Sequence, residues 1–193
     1  MNKNVVQLKI SLKDTNPLIW RRVLVPIDIT LEDLHRIIQT VMGWENAHLY
    51  EFRTKNKRYG IPMKDNFMFE MGRRPALKSS RSMRLRNLLG GRLRPFEYIY
   101  DLGDDWVHEI RPEKFLTREE AGPLPVCLEG EYNGPPEDIG GVPGFYYHLQ
   151  VARDPSHPDY GFIADWLGDY DPEEFDLGEI NWRLRFLIRG FKS

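Results

Sequence analysis

Tyr98-Ile-Tyr-Asp-Leu-Gly-Asp-Asp-Trp-Val-His-Glu-Ile110 reads as two short strands joined by an acidic loop, and its register decides the fold. With Asp101 to Asp105 as the loop, Tyr100 faces Trp106, Tyr98 faces His108 and Phe96 faces Ile110, which gives one face of favourable aromatic pairs. The opposite face then pairs Ile99 with Val107 and Glu97 with Glu109. A tighter turn at Gly103-Asp104 sets Tyr100 against Val107 and loses the aromatic pairing, so the longer loop is preferred. Directly opposed like charges are unfavourable, so Glu97 and Glu109 call for a basic neighbour, Arg21 or Arg22, or a bound cation.

Outward from this hairpin, Val6, Leu8, Ile10 and Leu12 alternate with polar residues at the period of a half-buried strand. Asp14-Thr-Asn-Pro17 reads as a turn, and Leu18 to Val25 reads as a second strand, hairpinned to the first and ended by Pro26. Thr30 and Asp33 have capping-box spacing, and Leu31, Leu34, Ile38, Val41 and Met42 share one helical face until Gly43. His35 sits at the edge of that face, as a packed helix residue rather than a ligand. His48 to Phe52 forms a further strand. A short helix is expected near Thr117 to Ala121, and residues 128–144 hold too many glycines, prolines and acids for regular structure. Three helices follow: one from Val142-Pro143, one over about Pro158 to Leu167, and one from Asp176 with Glu179 at capping-box distance. In the last, Trp182 and Phe186 fall outside the apolar stripe, so a second cover is expected, from the same chain or another subunit. The expectation is one α+β domain over residues 1–193: an antiparallel sheet covered by helices, with a helical C-terminal third.

The 193 residues are 41% hydrophobic and 12% aromatic, the composition of a folded globular chain. The single cysteine, Cys127, excludes an internal disulfide or a multi-cysteine zinc site. The alternating N-terminus does not read as a signal peptide and no stretch approaches a membrane span, so a cytoplasmic protein with no membrane partner is expected. The net charge of −2 hides an asymmetry: residues 1 to 96 carry 19 Lys/Arg against 8 Asp/Glu, and residues 97 to 180 carry 4 against 21. Mutual compensation across an internal seam is the expected outcome.

Leu18-Ile-Trp-Arg-Arg-Val, Leu31-x-x-Leu-His35, Met42-Gly-Trp44, His48-Leu-Tyr-Glu-Phe52, Tyr100-Asp-Leu-Gly-Asp-Asp-Trp-Val-His108, Gly134-Pro-Pro-Glu-Asp-Ile-Gly-Gly141 and Phe175-Asp176 together resemble the plasmid pRiA4b ORF-3-like family, across nearly the whole chain. The resemblance implies a single α+β domain from bacteria or archaea, sometimes labelled an insertion-element passenger protein, and leaves the activity open. Relatives place further cysteines near the Pro-Pro-Glu-Asp turn, where this chain has Asn133 and Ile139. The resemblance therefore implies no cysteine-based metal or redox role here.

The polar segments supply the candidate site. Asp101, Asp104, Glu137 and Asp138 lie in two acidic turns, and Tyr98, Tyr100, Trp106 and His108 flank the first. If the turns meet, they form the polar rim of an aromatic-walled cleft that binds a small ligand or a protein partner. The bland alternative is that each Asp only caps its own turn. No cofactor is expected. A metal-dependent hydrolase or nuclease, with these carboxylates, Asp105 and His108 around a divalent ion, is the alternative, although no reaction-specific motif occurs. Nucleic-acid binding by an accessory protein of a mobile element is the third reading. It rests on a stretch from 71 to 94 without a single acid, with Arg73, Arg74, Arg81 and Arg84 as the phosphate contacts. No aromatic residues interleave there, so a solvated connection or a surface facing the acidic half is favoured.

Overall fold

In a computed structural model, which describes residues 3–62 and 76–190, the chain forms one eight-stranded sheet flanked by helices. The strands are β1 (Val5–Leu12), β2 (Trp20–Pro26), β3 (Tyr50–Thr54), β4 (Lys57–Gly60), β5 (Leu77–Ser79), β6 (Phe96–Tyr100), β7 (Trp106–Leu116) and β8 (Val126–Glu131). Their order in space is β5-β4-β3-β6-β7-β1-β2-β8. The helices are α1 (Leu31–Met42), α2 (Leu85–Leu89), α3 (Arg118–Ala121), α4 (Gly141–Val151), α5 (Tyr160–Leu167) and α6 (Leu177–Gly190).

The β6–β7 register is the one expected, with Tyr100 opposite Trp106, Tyr98 opposite His108 and Glu97 opposite Glu109. The basic neighbours differ from the expectation. Lys13 pairs with Glu97 at 3.2 Å and Arg111 with Glu109 at 2.8 Å, because β1 lies beside β7 and its turn carries Lys13 to the hairpin. Arg22 reaches Glu113 and Glu129 instead. The Lys13 and Arg22 pairs join the basic N-terminal half to the acidic half, whereas Arg111 and Glu109 pair within β7.

The sheet is not wholly antiparallel: β4 and β5 run parallel. Residues 128–131, expected to be irregular, complete β8, which pairs with β2 through a bulge between Arg22 and Val23. Alternate residues of β2 supplied the pairing edge that composition alone concealed. The helical C-terminal region therefore starts at residue 141, after the last strand.

The other sheet face carries the core. Thr30 Oγ1 accepts the Asp33 N–H and the Asp33 carboxylate accepts the Thr30 N–H, both at 3.0 Å, and Gly43 at φ 85° closes α1. The helix then lays Leu31, Leu34, Ile37, Ile38 and Val41 into one cluster with Leu8, Ile10, Phe52, Tyr98 and Trp106. Burying one such aliphatic side chain is worth about 1.5–3 kcal/mol. Arg21 is also buried, 1% exposed. Its guanidinium donates to the carbonyls of Val41, Trp20 and Glu131 at 2.8–2.9 Å, tying the C-terminus of α1 to the β2–β8 edge. Burial holds its pKa down at about 10.

Helix α6 packs on α1 and β8. The side-chain amide of Asn181 accepts the Cys127 N–H and donates to the Cys127 carbonyl, both at 2.9 Å. It thereby takes the place of a further strand against the outer edge of β8. Trp182 and Phe186, for which a second cover is expected, contact each other with centroids 4.6 Å apart and are 54% and 51% exposed.

Candidate functional site

The two acidic turns meet, and a third segment, residues 44–48, joins them. The β6–β7 loop is built by Asp101, at φ 52°, whose Oδ1 accepts the Gly103 N–H at 2.8 Å. Short polar side chains tolerate this left-handed backbone better than others. Asp104 then clasps the second turn: its Oδ2 accepts the Gly140 N–H at 3.0 Å. The approach is tight enough to require glycine at the next position. A Cβ on Gly141, which sits at φ 67°, would lie 2.3 Å from the Asp104 carbonyl oxygen.

Tyr100 knits the three segments. Its hydroxyl accepts the N–H groups of Ala47 and His48 at 2.9 and 3.3 Å and donates to Glu137. The other Glu137 oxygen accepts the Glu45 N–H at 2.9 Å, and the Trp44 indole donates to the Pro135 carbonyl at 2.8 Å. Burial, reinforced by the Glu137 carboxylate, raises the Tyr100 pKa above its ordinary value, so the phenol keeps its proton and its donor role.

Beneath this junction the aromatic residues are core. Tyr98 and Tyr100 are 0% exposed, Trp106 1% and His108 0%, so they support the turns from below rather than wall an open cleft. The Tyr98 hydroxyl accepts from Gln39 Nε2 at 3.0 Å and lies 2.7 Å from His35 Nδ1. His35 stacks on Tyr50 with centroids 3.5 Å apart, and its Nε2 meets Asn46 Oδ1 at 2.6 Å. Since the Tyr98 hydroxyl accepts from Gln39, its proton goes to Nδ1, and the neutral imidazole carries its own proton on Nε2. His108 Nδ1 lies 3.0 Å from the Trp106 carbonyl. Burial pushes both imidazoles down to a pKa of about 4, so both are neutral at ordinary pH.

The residue that sequence reading left out of the site is His48. Its Nε2 is shielded from solvent and makes no hydrogen bond, yet it lies 3.0 Å from Asp138 Oδ1 and 3.6 Å from Asp101 Oδ2. The three side chains bring their candidate ligand atoms within 4.8 Å of one another. Bonds of about 2.0–2.2 Å to one ion place neighbouring donors roughly 3.0–3.5 Å apart, close to the distances of His48 Nε2 from the two carboxylates. Asp104 and Glu137, spent on the clasp and on Tyr100, are not part of this trio.

The remaining candidates lie elsewhere. Arg81 pairs with Glu32 at 2.9 Å, Arg84 donates to the Asp28 carbonyl, and Arg86 pairs with the Asp28 carboxylate at 2.8 Å. Arg73 and Arg74 lie outside the described residues. Cys127 is buried, and desolvation pushes its thiol up to a pKa of about 11 against the opposing pull of Arg21, which keeps it a poor nucleophile.

Among solved structures, the chain resembles a protein of unknown function, MM3350 from Methanosarcina mazei Go1, at 37% identity and a TM-score of 0.78, covering 90% of this chain and 95% of that one. An uncharacterised protein of Sinorhizobium fredii (strain NBRC 101917 / NGR234), y4hQ, is 35% identical over 184 residues, 94% of this chain and 91% of the relative. No helix of the described residues is long and apolar enough to cross a membrane. The family profile described as plasmid pRiA4b ORF-3-like protein matches residues 4–179, and with that span covered the chain belongs to the plasmid pRiA4b ORF-3-like family.

Proposed function

We propose that the protein is a binding module whose ligand is a divalent cation, or a small molecule carried on one, held at the junction by His48 Nε2 and the carboxylates of Asp101 and Asp138. One observation carries this reading: a shielded imidazole nitrogen without a hydrogen bond, at ligand-like spacing from two carboxylate oxygens. A shielded nitrogen whose carboxylate neighbour at 3.0 Å is not aligned for a hydrogen bond is poorly satisfied, and a metal ion would satisfy it. One imidazole with two carboxylates suits Zn²⁺, Mn²⁺ or Fe²⁺ better than the all-oxygen shells of Ca²⁺ or Mg²⁺. The supporting frame is rigid, since Tyr100, Glu137 and Asp104 fix the three segments that carry the ligands.

Calorimetric titration of Zn²⁺ and Mn²⁺ into chelator-treated protein tests it, with His48→Ala and the Asp101→Asn/Asp138→Asn pair as comparisons. Asparagine at 101 keeps the oxygen that caps the turn. Losing an outer-shell partner alone costs roughly 10–100-fold in metal affinity, so loss of the imidazole should cost at least as much. Equal affinity in wild type and variants, or no binding at millimolar metal, refutes the reading. Metal-dependent hydrolysis is the second reading, because three protein ligands leave positions for water and the Asp138 side chain is 73% exposed. Turnover of phosphodiester or nucleic-acid substrates by the metal-loaded protein, lost in His48→Ala, would favour it over binding alone.

A further inference from the structure

A concavity of about 460 Å³ lies on the flank of α4, and none of His48, Asp101 and Asp138 lines it. It falls in the size range of small-molecule pockets, about 300–1,000 Å³. Pro17, Ile19, Phe145, Leu149 and Pro172 give it apolar walls, and Tyr132 and Tyr146 add two aromatic rings. The Asn16 N–H donates to the Tyr146 hydroxyl, which fixes that ring. Tyr132 is held at φ 64°, an outlier for a bulky residue. The next residue, Asn133, anchors it by donating to the carbonyls of Pro172 and Asp171 at 3.0 and 3.1 Å. Backbone strain of this kind concentrates at ligand clamps.

The same cleft is lined by one cation, Arg153, and one anion, Glu173. Both side chains are exposed, and neither makes an ion pair or side-chain hydrogen bond among the described residues. They do not pair with each other. We infer that this cleft binds a small zwitterion with a bulky apolar body, either a free apolar α-amino acid or a short apolar peptide: its carboxylate meets Arg153, its ammonium meets Glu173, and its side chain lies between the tyrosine rings. A plain anion would be repelled by Glu173 and a plain cation by Arg153. A neutral apolar molecule would leave both charges unused. Arginine presents a planar fork matched to a carboxylate, and aromatic rings offer large contact area to an apolar body.

Calorimetry with the full chain tests this, using phenylalanine, tryptophan and the dipeptide Leu-Phe as zwitterions. Phenylpropionate, phenethylamine and N-acetylphenylalanine amide serve as anion, cation and neutral controls. At least one zwitterion should bind, and each control should bind roughly tenfold or more weakly, since each gives up one or both charge-assisted contacts. Binding by phenylalanine and tryptophan points to free amino acids, and binding only by Leu-Phe points to peptide ends. Arg153→Met and Glu173→Gln should each weaken zwitterion binding by a similar factor, with thermal unfolding confirming that the unpaired positions leave the fold intact. A control that binds as tightly as the zwitterions overturns the inference. So does unchanged affinity in both variants, or no heat from any zwitterion at millimolar concentration.

Discussion

Lowering the pH from about 7 to about 5 should destabilise the protein by about 4 kcal/mol through two buried histidines. His35 is 2% exposed and His108 0%, and burial holds each at a pKa of about 4 against an ordinary value of 6.5. Because the folded value is depressed, the contribution of each imidazole is fully present above pH 6.5 and is lost as the pH falls toward 4. At pH 5 the unfolded imidazole lies about 1.5 pH units below its midpoint while the folded one is still mostly neutral, so each costs about 2 kcal/mol at about 1.4 kcal/mol per unit. The pair therefore removes a large share of a typical total stability of about 5–15 kcal/mol. Protonation would also take from His35 Nδ1 its role as acceptor of the Tyr98 hydroxyl. Denaturant titrations at the two pH values measure the difference. His35→Gln, which keeps an amide in place of the imidazole but cannot protonate, should halve the pH dependence. Equal stability at the two pH values, or His35 and His108 imidazole resonances titrating near 6.5 in the folded protein, would refute the reasoning.

Other perturbations have defined outcomes. Asp104→Ala removes the acceptor for the Gly140 N–H and should cost about 1–3 kcal/mol by thermal unfolding. Gly141→Ala combines a positive φ with a Cβ 2.3 Å from the Asp104 carbonyl oxygen. It should destabilise by more than the few tenths typical of surface changes, and a Tm equal to wild type would contradict the close approach. Arg21→Met removes the donor to one buried carbonyl, Val41, and two part-buried ones, Trp20 and Glu131, and should cost about 3 kcal/mol or more. Asn181→Ala unmasks the Cys127 N–H and carbonyl and should speed amide exchange at Cys127 in hydrogen-exchange measurements while costing about 1–3 kcal/mol.

Much of this fold is legible in residue order because local chemistry and tertiary packing agree. The capping box at Thr30 and Asp33, the Gly43 stop and the aromatic register of Tyr98 with His108 are each set by near neighbours. The parallel β4–β5 pair is not legible, because three- and four-residue strands give too few alternations to show a period. Strand β8 hides for a different reason: Gly130 and the acids around it look like loop, yet a Cβ at Gly130 would lie 2.6 Å from the Trp20 carbonyl oxygen, so the glycine is there for close strand approach. His48 is missed because its partner Asp101 is remote in sequence. Only the β3–β6 register, with Tyr50 opposite Tyr100 and the Asp101 N–H bonded to the Leu49 carbonyl at 2.9 Å, brings residue 48 beside the acidic loop. The rings flanking that loop are legible as aromatic pairs, but their depth is not, since it depends on α1 lying over them.

The amide of Asn181 also governs how copies of this molecule could join. Unpaired strand margins are templates for growth between chains, and here the β8 margin is stoppered by a side chain from α6. The opposite margin, β5, is only three residues long, too short to seat a foreign strand firmly. Long runs of such sheets end to end are thus discouraged at both terminations, by a plug at one and by brevity at the other.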